Sequence, residues 1–485
     1  MSIEPKILPD DLWGHQKETV ELAYAALQRK PDPMPYWGLL HDAGVGKTYE
    51  IITLLRNIFY YHKRHLKTLI ICPSIVVENW SLEIDKFSKM GKEVEPLVGT
   101  GKQRIETLKK SKKHIFITNI EALDMAGLFY SYAGTKKKIK KVIPHGFECL
   151  VVDELHKFKG YRSLRTKLLI RMADKIYYRY GLTGTMILNT EEDVWSQARI
   201  LDGGKAFGTN FISFRNEYFV NKNSGWTSQK AFPKWEIRDG AAEEIRQKLL
   251  TFCNIIKKEE CLDLPPFVMT EIQVGMSPKQ TKAYLEMKRD FITYLKDEAC
   301  VATMALTKAT RLMQIVSGFA KLDSGDEIRF KGNPRVKALE ELLQNISSKI
   351  IVWASFKSNY KDIVDVCEKL GLEYGLITGD QTKEEKDEVV KQFRFGSLRV
   401  VCANPQAGGT GINLTESDTA IWYSRSFRLE ARLQGIARNF RGGSEMHDKI
   451  TCIDLVTPGT IDTAVIEALN NKENLAANIL DVKYV

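Results

Sequence analysis

The chain has 485 residues, a net charge of +10, and 44% hydrophobic and 27% charged residues, a composition typical of a globular protein of about three domains, or two large ones with an insertion. No apolar run approaches the roughly 18 residues of a membrane span, and the N-terminus has no apolar signal-peptide core. Eight scattered cysteines without a CxxC pair or a histidine cluster argue against zinc and against a disulfide framework.

A glycine-rich turn, GVGKT, follows a short apolar run and precedes a predicted helix. Glycines at 44 and 46 let backbone N–H groups approach phosphate oxygens at the helix N-terminus. Gly44, Gly46, Lys47 and Thr48 therefore form a predicted nucleotide site, with Lys47 at the β- and γ-phosphates and Thr48 as a Mg²⁺ ligand. The strict form of this pattern has glycine where the chain has His41.

A basic window lies at residues 101–145, where eleven Lys and Arg stand against three Asp and Glu. A block of like charge is often a solvated loop. Beside a nucleotide site, a polyanion partner is an equally open reading, because lysines bind phosphates by releasing counterions.

Two carboxylates end the apolar run at residues 149–152. At the tip of a predicted strand, Asp153 can hold Mg²⁺ through water, and Glu154 can orient or deprotonate the attacking water. His156 follows closely, and two roles stay open for it: coupling nucleotide state to other motifs, or packing as a polar residue.

Short apolar runs alternate with helical stretches along most of the chain, which predicts parallel sheets with ligands at the carboxyl ends of the strands. The predicted strands are 68–72, 114–118, 149–153, 180–183, 350–354, 398–403, 419–423 and 450–456. The predicted helices are 47–63, 77–90, 334–345, 358–370 and 383–393. Residues 190–330 differ, because aromatic helical segments, a polar loop and a long helical pattern at 278–319 suggest a helical insertion. The predicted domains are 1–195, 196–330 and 331–485.

A pair of late arginines completes the predicted ATP site. Arg438 and Arg441 are three residues apart, so they share a helix face, and they follow a second glycine-rich segment at 407–411. Guanidinium groups can meet the γ-phosphate charge in the transition state, an effect worth roughly 10³–10⁵ in rate. This spacing suggests a second domain that closes onto the same phosphates.

The ordered motifs resemble the Swi/Snf-type branch of superfamily-two helicases, the chromatin-remodeller ATPases. The resemblance extends from Gln16 to about Val456. Single motifs of this kind are weak, but seven in the expected order are specific. They lie at 42–48, 72–83, 153–159, 182–189, 264–284, 408–414 and 434–441.

The resemblance implies an α/β protein with two RecA-like parallel-sheet lobes and a helical bridge, with ATP and Mg²⁺ between the lobes and DNA across both. It implies that Gln16 recognises adenine and that Gly411 and Gln434 belong to the nucleotide site. It also places a further set of residues in or beside segments that touch the nucleic-acid backbone. These are Trp80, Thr118, Thr185, Ser355, Thr378 and Thr410.

The chain departs from this family at two places. Residues 424–430 replace an Asp-Pro…Trp-Asn-Pro segment, and Gly442-Gly443-Ser444 stands where Gly-Gln is usual. Chromatin-reading, zinc and nuclease modules are also missing, so work on nucleosomes is not expected. The compact chain is more similar to the small phage and bacterial members, and we expect an intracellular monomer in the cytoplasm or nucleoid.

Three functions stay open from the sequence. The leading one is an ATP-driven DNA translocase, with duplex DNA favoured. The second is a helicase that separates strands at forks, junctions or R-loops, which shares every motif. The third belongs to another class: an ATP-gated clamp that binds DNA without net movement.

Overall fold

A computed structural model describes residues 7–133, 138–184, 186–187, 190–223, 233–296, 302–322, 324–406 and 412–480. The chain divides into two compact units, one made chiefly of Met1–Leu262 and the other of Asp263–Asn471. Each unit contains a parallel sheet with helices, so the predicted α/β class with two parallel-sheet lobes is confirmed. The boundary between the two units falls in the sequence between Leu262 and Asp263, and the three-part division at 195 and 330 stays a prediction.

Strands and helices alternate through both units. The strands are Tyr36–His41 (β1), Thr68–Cys72 (β2), Val94–Leu97 (β3), Ile115–Asn119 (β4), Tyr130–Ala133 (β5), Lys138–Val142 (β6), Cys149–Asp153 (β7), Tyr178–Thr183 (β8), Phe219–Asn221 (β9), Trp235–Ile237 (β10), Cys253–Ile256 (β11), Phe267–Gln273 (β12), Phe319–Lys321 (β13), Glu327–Arg329 (β14), Ile350–Trp353 (β15), Tyr374–Ile377 (β16), Val400–Ala403 (β17), Thr419–Trp422 (β18) and Ile450–Val456 (β19). The helices are Gly14–Gln28 (α1), Lys47–His62 (α2), Val77–Phe87 (α3), Gly101–Lys110 (α4), Leu164–Ala173 (α5), Asp193–Asp202 (α6), Phe211–Tyr218 (α7), Ala241–Leu250 (α8), Lys258–Cys261 (α9), Pro278–Lys296 (α10), Ala302–Ser317 (α11), Pro334–Asn345 (α12), Lys357–Leu370 (α13), Lys383–Phe395 (α14), Leu429–Ile436 (α15) and Ile461–Leu480 (α16).

The sheet of the first unit has, within the described residues, the strand order β11-β1-β8-β7-β2-β4-β3, and its strand pairs are parallel. Every residue of β1 and β2 is buried, because helices cover both faces of such a sheet and its strands carry continuous apolar runs. The carboxyl ends of β1, β8, β7 and β2 lie side by side, so the segments that follow them share one edge.

The sheet of the second unit has the order β12-β19-β18-β15-β17-β16 in the described part of the chain, again with parallel pairs. Its central strands β15, β17 and β18 are buried throughout. Two apolar cores lie on its two faces, one centred on Val352 and Ile421 and the other on Trp353 and Trp422.

The segment 196–330 is not a purely helical insertion. Its strand β11 pairs with β1 in the first sheet, and its strand β12 pairs with β19 in the second. The long helical pattern at 278–319 is two helices, α10 and α11. Periodicity misses β11 because Asn254 interrupts its apolar run and the strand is only partly buried, whereas the equally short β15 and β18 are buried throughout. Among the described helices, none combines the length and the apolar character needed to cross a bilayer.

Close packing of β11 on β1 is testable at Gly38, which pairs with Cys253. A Cβ at this glycine would lie 2.4 Å from Cys253 Sγ and 3.2 Å from Leu201 Cδ1. Gly38→Ala should therefore destabilise the unit by about 1–3 kcal/mol, measured by urea unfolding.

Combining Gly38→Ala with Cys253→Ala removes the clashing sulfur, so the double variant should be more stable than the sum of the two single changes implies. Gly14→Ala is the control, because a Cβ there has no atom within 4 Å. If the two changes in the free energy of unfolding were strictly additive, the pairing of Gly38 with Cys253 would be contradicted.

Candidate active site

The phosphate-binding turn connects β1 to α2. Gly44 (φ 96°) and Gly46 (φ 87°) have left-handed backbone conformations, which glycine adopts without the steric cost of a Cβ. Lys47 opens α2, and its Nζ donates to the carbonyls of His41 (2.7 Å) and Asp42 (2.8 Å). The predicted residues therefore form one loop, with the lysine folded back inside it.

His41, the departure from the glycine pattern, is the last residue of β1 and is fully buried. Its Nδ1 lies 3.0 Å from Oε2 of Glu50, which is also fully buried in α2. The imidazole thus joins the strand before the loop to the helix after it. The loop needs no glycine at this position because the backbone there is an ordinary strand.

Gln16, the predicted adenine-binding residue, lies against the same loop and is 3% exposed. Its Nε2 donates to the carbonyls of Val45 (3.1 Å) and Gly46 (3.3 Å), while its Oε1 accepts from the N–H of Trp13. The side chain supports the loop in this conformation, and recognition of adenine stays a prediction.

Asp153 and Glu154 stand at the end of β7, as predicted. Glu154 has φ 55°, a left-handed conformation that costs a non-glycine residue roughly 1–2 kcal/mol, and its N–H donates to Asp153 Oδ1 (2.9 Å). Desolvation raises the pKa of Asp153 to about 6, with the Glu154 charge adding to the rise and Lys47 opposing it. Burial lowers the pKa of Lys47, and the two carboxylates oppose that shift. The lysine and both carboxylates therefore share one electrostatic site.

The residues at this edge fit Mg²⁺. Thr48 lies in the first turn of α2 and Asp153 ends β7, so both offer the hard oxygen ligands that Mg²⁺ takes. Magnesium is commonly held by one or two carboxylates together with substrate phosphates and water. These two side chains can supply the protein part of such a site.

His156 connects the carboxylates to the end of β8. Its buried Nδ1 lies 3.2 Å from Glu154 Oε2 and 2.9 Å from Thr183 Oγ1. The residue after Thr183, Gly184, borders the phosphate-binding loop, since a Cβ there would lie at ordinary van der Waals distance, 3.7 Å, from the carbonyl oxygen of His41. Of the two roles left open for His156, these contacts favour coupling.

Two side chains predicted beside nucleic acid are buried inside the first unit. Trp80 is 1% exposed, and its Nε1 donates to Asp153 Oδ2 (2.9 Å). Thr118 is fully buried, and its hydroxyl accepts from Nη1 of Arg104 (2.8 Å). Neither side chain is available at the surface, so direct contact by these groups is not supported. Sequence analysis overlooked Arg104, because in the sequence it is one of many basic residues in the window 101–145.

The other predicted nucleic-acid residues lie at strand ends or outside the described residues. The Ser355 backbone N–H donates to Ser424 Oγ (2.9 Å), which ties the end of β15 to the segment after β18. Thr378 follows β16 and is 5% exposed, and its backbone N–H donates to Gln381 Oε1 (2.8 Å). The predictions for Thr185, Thr410 and Gly411 fall outside the described residues.

In the second unit, the late motif lies on α15 and the turn that follows. Arg438 is 6% exposed, and its Nε and Nη1 donate to the carbonyls of Gln434 (2.8 Å) and Ile412 (3.1 Å). Arg441 is partly exposed. The helix ends at Ile436, so the prediction that both arginines share one helix face is wrong, and both lie in the turn that follows α15. Arg438 joins this turn to the carbonyl of Gln434 on α15 and to Ile412, after the second glycine-rich stretch.

A buried ion cluster anchors α15 to its sheet. Arg425 and Arg432 both donate to Asp454 in β19, at 3.2 Å and 2.7 Å. The Arg432 guanidinium also lies 4.4 Å from the ring centroid of Trp422. The unusual segment 424–430 thus contributes a buried cation to the interior of this unit.

Two family descriptions match the chain: an SNF2-related domain over residues 15–322 and a helicase conserved C-terminal domain over residues 334–443. An uncharacterised ATP-dependent helicase of Mycoplasma genitalium is 25% identical over 97% of this chain and 42% of its own length. A protein of Acyrthosiphon pisum secondary endosymbiont phage 1 is 24% identical over 90% of this chain and 93% of its own length.

An ISWI chromatin-remodeling complex ATPase of Saccharomyces cerevisiae is 23% identical over 90% of this chain and 38% of its own length. The chain therefore spans about two fifths of the Mycoplasma and yeast relatives and nearly all of the phage one. A solved Sulfolobus solfataricus SWI2/SNF2 ATPase core in complex with dsDNA is 22% identical, with a TM-score of 0.45 over 99% of this chain and 95% of that one.

Proposed function

Because the chain belongs to the SNF2-related family of helicase-type ATPases, we propose that it couples ATP hydrolysis to movement along duplex DNA. This proposal is supported chiefly by the position of Lys47, Asp153 and Glu154 at one edge of a parallel sheet, where the charges of both carboxylates oppose the lowering of the Lys47 pKa by burial. That arrangement supplies a phosphate-binding cation, a metal ligand and a base in a single site.

Each residue has a distinct part in the proposed hydrolysis. Lys47 and the loop N–H groups bind the phosphates of ATP, and Glu154 accepts the proton of the attacking water. Thr48 and Asp153 would hold Mg²⁺, which when bound would supply positive charge against the phosphates of ATP. His156 holds Glu154 in place through its Nδ1.

The second unit is proposed to complete the reaction with an arginine. Arg441 is the better candidate for the γ-phosphate because its side chain keeps some exposure, whereas Arg438 is committed to the carbonyls of Gln434 and Ile412. We assign Arg438 to holding the turn that carries Arg441 against the end of α15. Gln434 and Gly411 are proposed to line the nucleotide site.

DNA is the proposed track. The relatives include ATP-dependent helicases and a chromatin-remodeling ATPase, and the net charge of +10 favours a polyanion. Ser355, Thr185 and Thr410 stay candidates for side-chain contacts with the nucleic-acid backbone. The side chains of Trp80, Thr118 and Thr378 are buried, so these three stay candidates only through the segments to which they belong. The protein is proposed to act as a monomer.

The ATPase rate against a panel of nucleic acids tests the function as a whole. Duplex DNA should stimulate hydrolysis strongly. The DNA affinity obtained from that stimulation should fall with salt, and the logarithm of the binding constant plotted against the logarithm of salt concentration should have a slope near −0.9 per phosphate contacted. Displacement of a triplex-forming third strand would show movement, and unwinding of forked DNA would show strand separation. Binding of DNA with the third strand left in place would overturn translocation in favour of a clamp.

Glu154→Gln should lower kcat by about 10²–10⁴ because the amide cannot accept the proton. ATP affinity should stay within about threefold, since the change removes no phosphate ligand. Steady-state ATPase rates and equilibrium binding of ATP measure the two effects. Glu21→Gln, at an exposed position, is the matched control, and normal turnover in Glu154→Gln would remove the assignment of the base.

Arg441→Ala should reduce DNA-stimulated kcat by roughly 10³ because transition-state charge on the γ-phosphate loses its partner. Thermal unfolding of the second unit should change less in this variant than in Arg438→Ala, which leaves the carbonyl groups of Gln434 and Ile412 without their donors. ATPase assays and thermal unfolding separate the two roles. Lys449→Ala, which removes an exposed cation of the same unit, is the control, and equal kinetic and stability effects in both arginine variants would contradict the division.

A further inference from the structure

Trp80 is a buried residue with a polar atom directed at the candidate site. It lies on the face of α3 that also carries Val77 and Ile84, and this face packs into the core of the first unit. A buried indole N–H usually finds a hydrogen-bond partner. Here the partner is Asp153 Oδ2, at 2.9 Å, on a strand 73 residues further along the chain.

The Asp153 carboxylate is held at both of its oxygens. Oδ1 accepts from the backbone N–H of Glu154 (2.9 Å), and Oδ2 accepts from Trp80 Nε1 (2.9 Å). The terminal torsion of an aspartate is otherwise broad, so a donor on each oxygen fixes the plane of the group. An ionised carboxylate has about four lone-pair positions, which leaves the remaining ones for a cation or its water.

Packing alone does not account for this contact. Trp195 is also buried in the first unit, at 6% exposure, and its Nε1 has no hydrogen-bond partner in the described part of the chain. A tryptophan can therefore fill this core without a carboxylate. At position 80 the ring fills space in the core and the N–H donates a hydrogen bond to Asp153.

We propose that Trp80 is a positioning residue for Mg²⁺ binding: its indole N–H sets the orientation in which the Asp153 carboxylate meets the cation of the nucleotide. This inference rests on the proposed ATPase site and deepens it. Partners that orient metal ligands in this way are typically worth 10- to 100-fold in metal affinity or activity.

The test measures binding without turnover. ADP affinity of the full chain is determined by calorimetry in EDTA and again in saturating Mg²⁺, and the ratio of the two is the Mg²⁺-dependent gain. Trp80→Phe keeps an aromatic ring and loses the donor. The gain should fall about tenfold or more in this variant, while ADP affinity in EDTA stays within about twofold of the native value, because no phosphate ligand is removed.

The matched control is Trp195→Phe, which loses a similar buried ring area and should keep the native gain. In an Asp153→Ala background, Trp80→Phe should cause no further loss, because the residue acts only through that carboxylate. A native gain in Trp80→Phe, or an equal loss in Trp195→Phe, would overturn the proposal.

Replacing Trp80 by 3-benzothienylalanine keeps the shape of the indole and lacks only the N–H, so it decides the question if the phenylalanine variant fails to fold. The result is independent of the nucleic-acid track. If DNA does not stimulate hydrolysis but Trp80→Phe still lowers the Mg²⁺-dependent gain, the translocase proposal fails and the positioning role of Trp80 stands. If the native chain shows no Mg²⁺-dependent gain, the metal site and this inference both fail.

Discussion

The desolvated carboxylate of Asp153, at the end of a central parallel strand, is the group on which the first unit's site depends. A charge in this position is tolerable only if donors and cations surround it, and they are Trp80, the Glu154 N–H and Lys47. The sheet order β1-β8-β7-β2 explains how this happens. Parallel strands bring their carboxyl ends to one edge, so the phosphate loop, Thr183, the carboxylate pair and the segment leading to Trp80 become neighbours although the chain separates them widely.

The second unit also contains buried charges, and these include cations. Its interior holds several guanidinium groups that are paired with carboxylates: Arg335 with Asp462, and Arg425 and Arg432 together with Asp454. Removing one partner of such a set would leave a buried charge uncompensated, which is why buried pairs are costly to break even where they add little stability. Helix α15, which precedes Arg438 and Arg441, is thus held against its sheet by the pair of Arg432 with Asp454.

Elements buried on both faces could be predicted almost to the residue. The bounds of β2, β7 and β19 agree with the apolar runs at 68–72, 149–153 and 450–456, and α12 begins where Pro334 follows an Asn333 cap, a strong start signal. Strands β11 and β12 escaped prediction. The apolar run of the first is interrupted by Asn254. The second follows two prolines that we interpreted as a break, although an edge strand tolerates them.

The sequence by itself indicated which residues could form the site and that the chain contains two α/β units. Both follow from local patterns, namely glycine-rich turns, apolar runs and paired charges. Only the tertiary structure decided which neighbour each polar group has. Trp80 faces inward to Asp153 instead of outward, His41 pairs with Glu50, and Arg438 supports backbone carbonyls. The physical reason is that contacts at a sheet edge depend on strand order and on the rotation of each packed helix, and neither quantity is encoded in the spacing of residues along the chain.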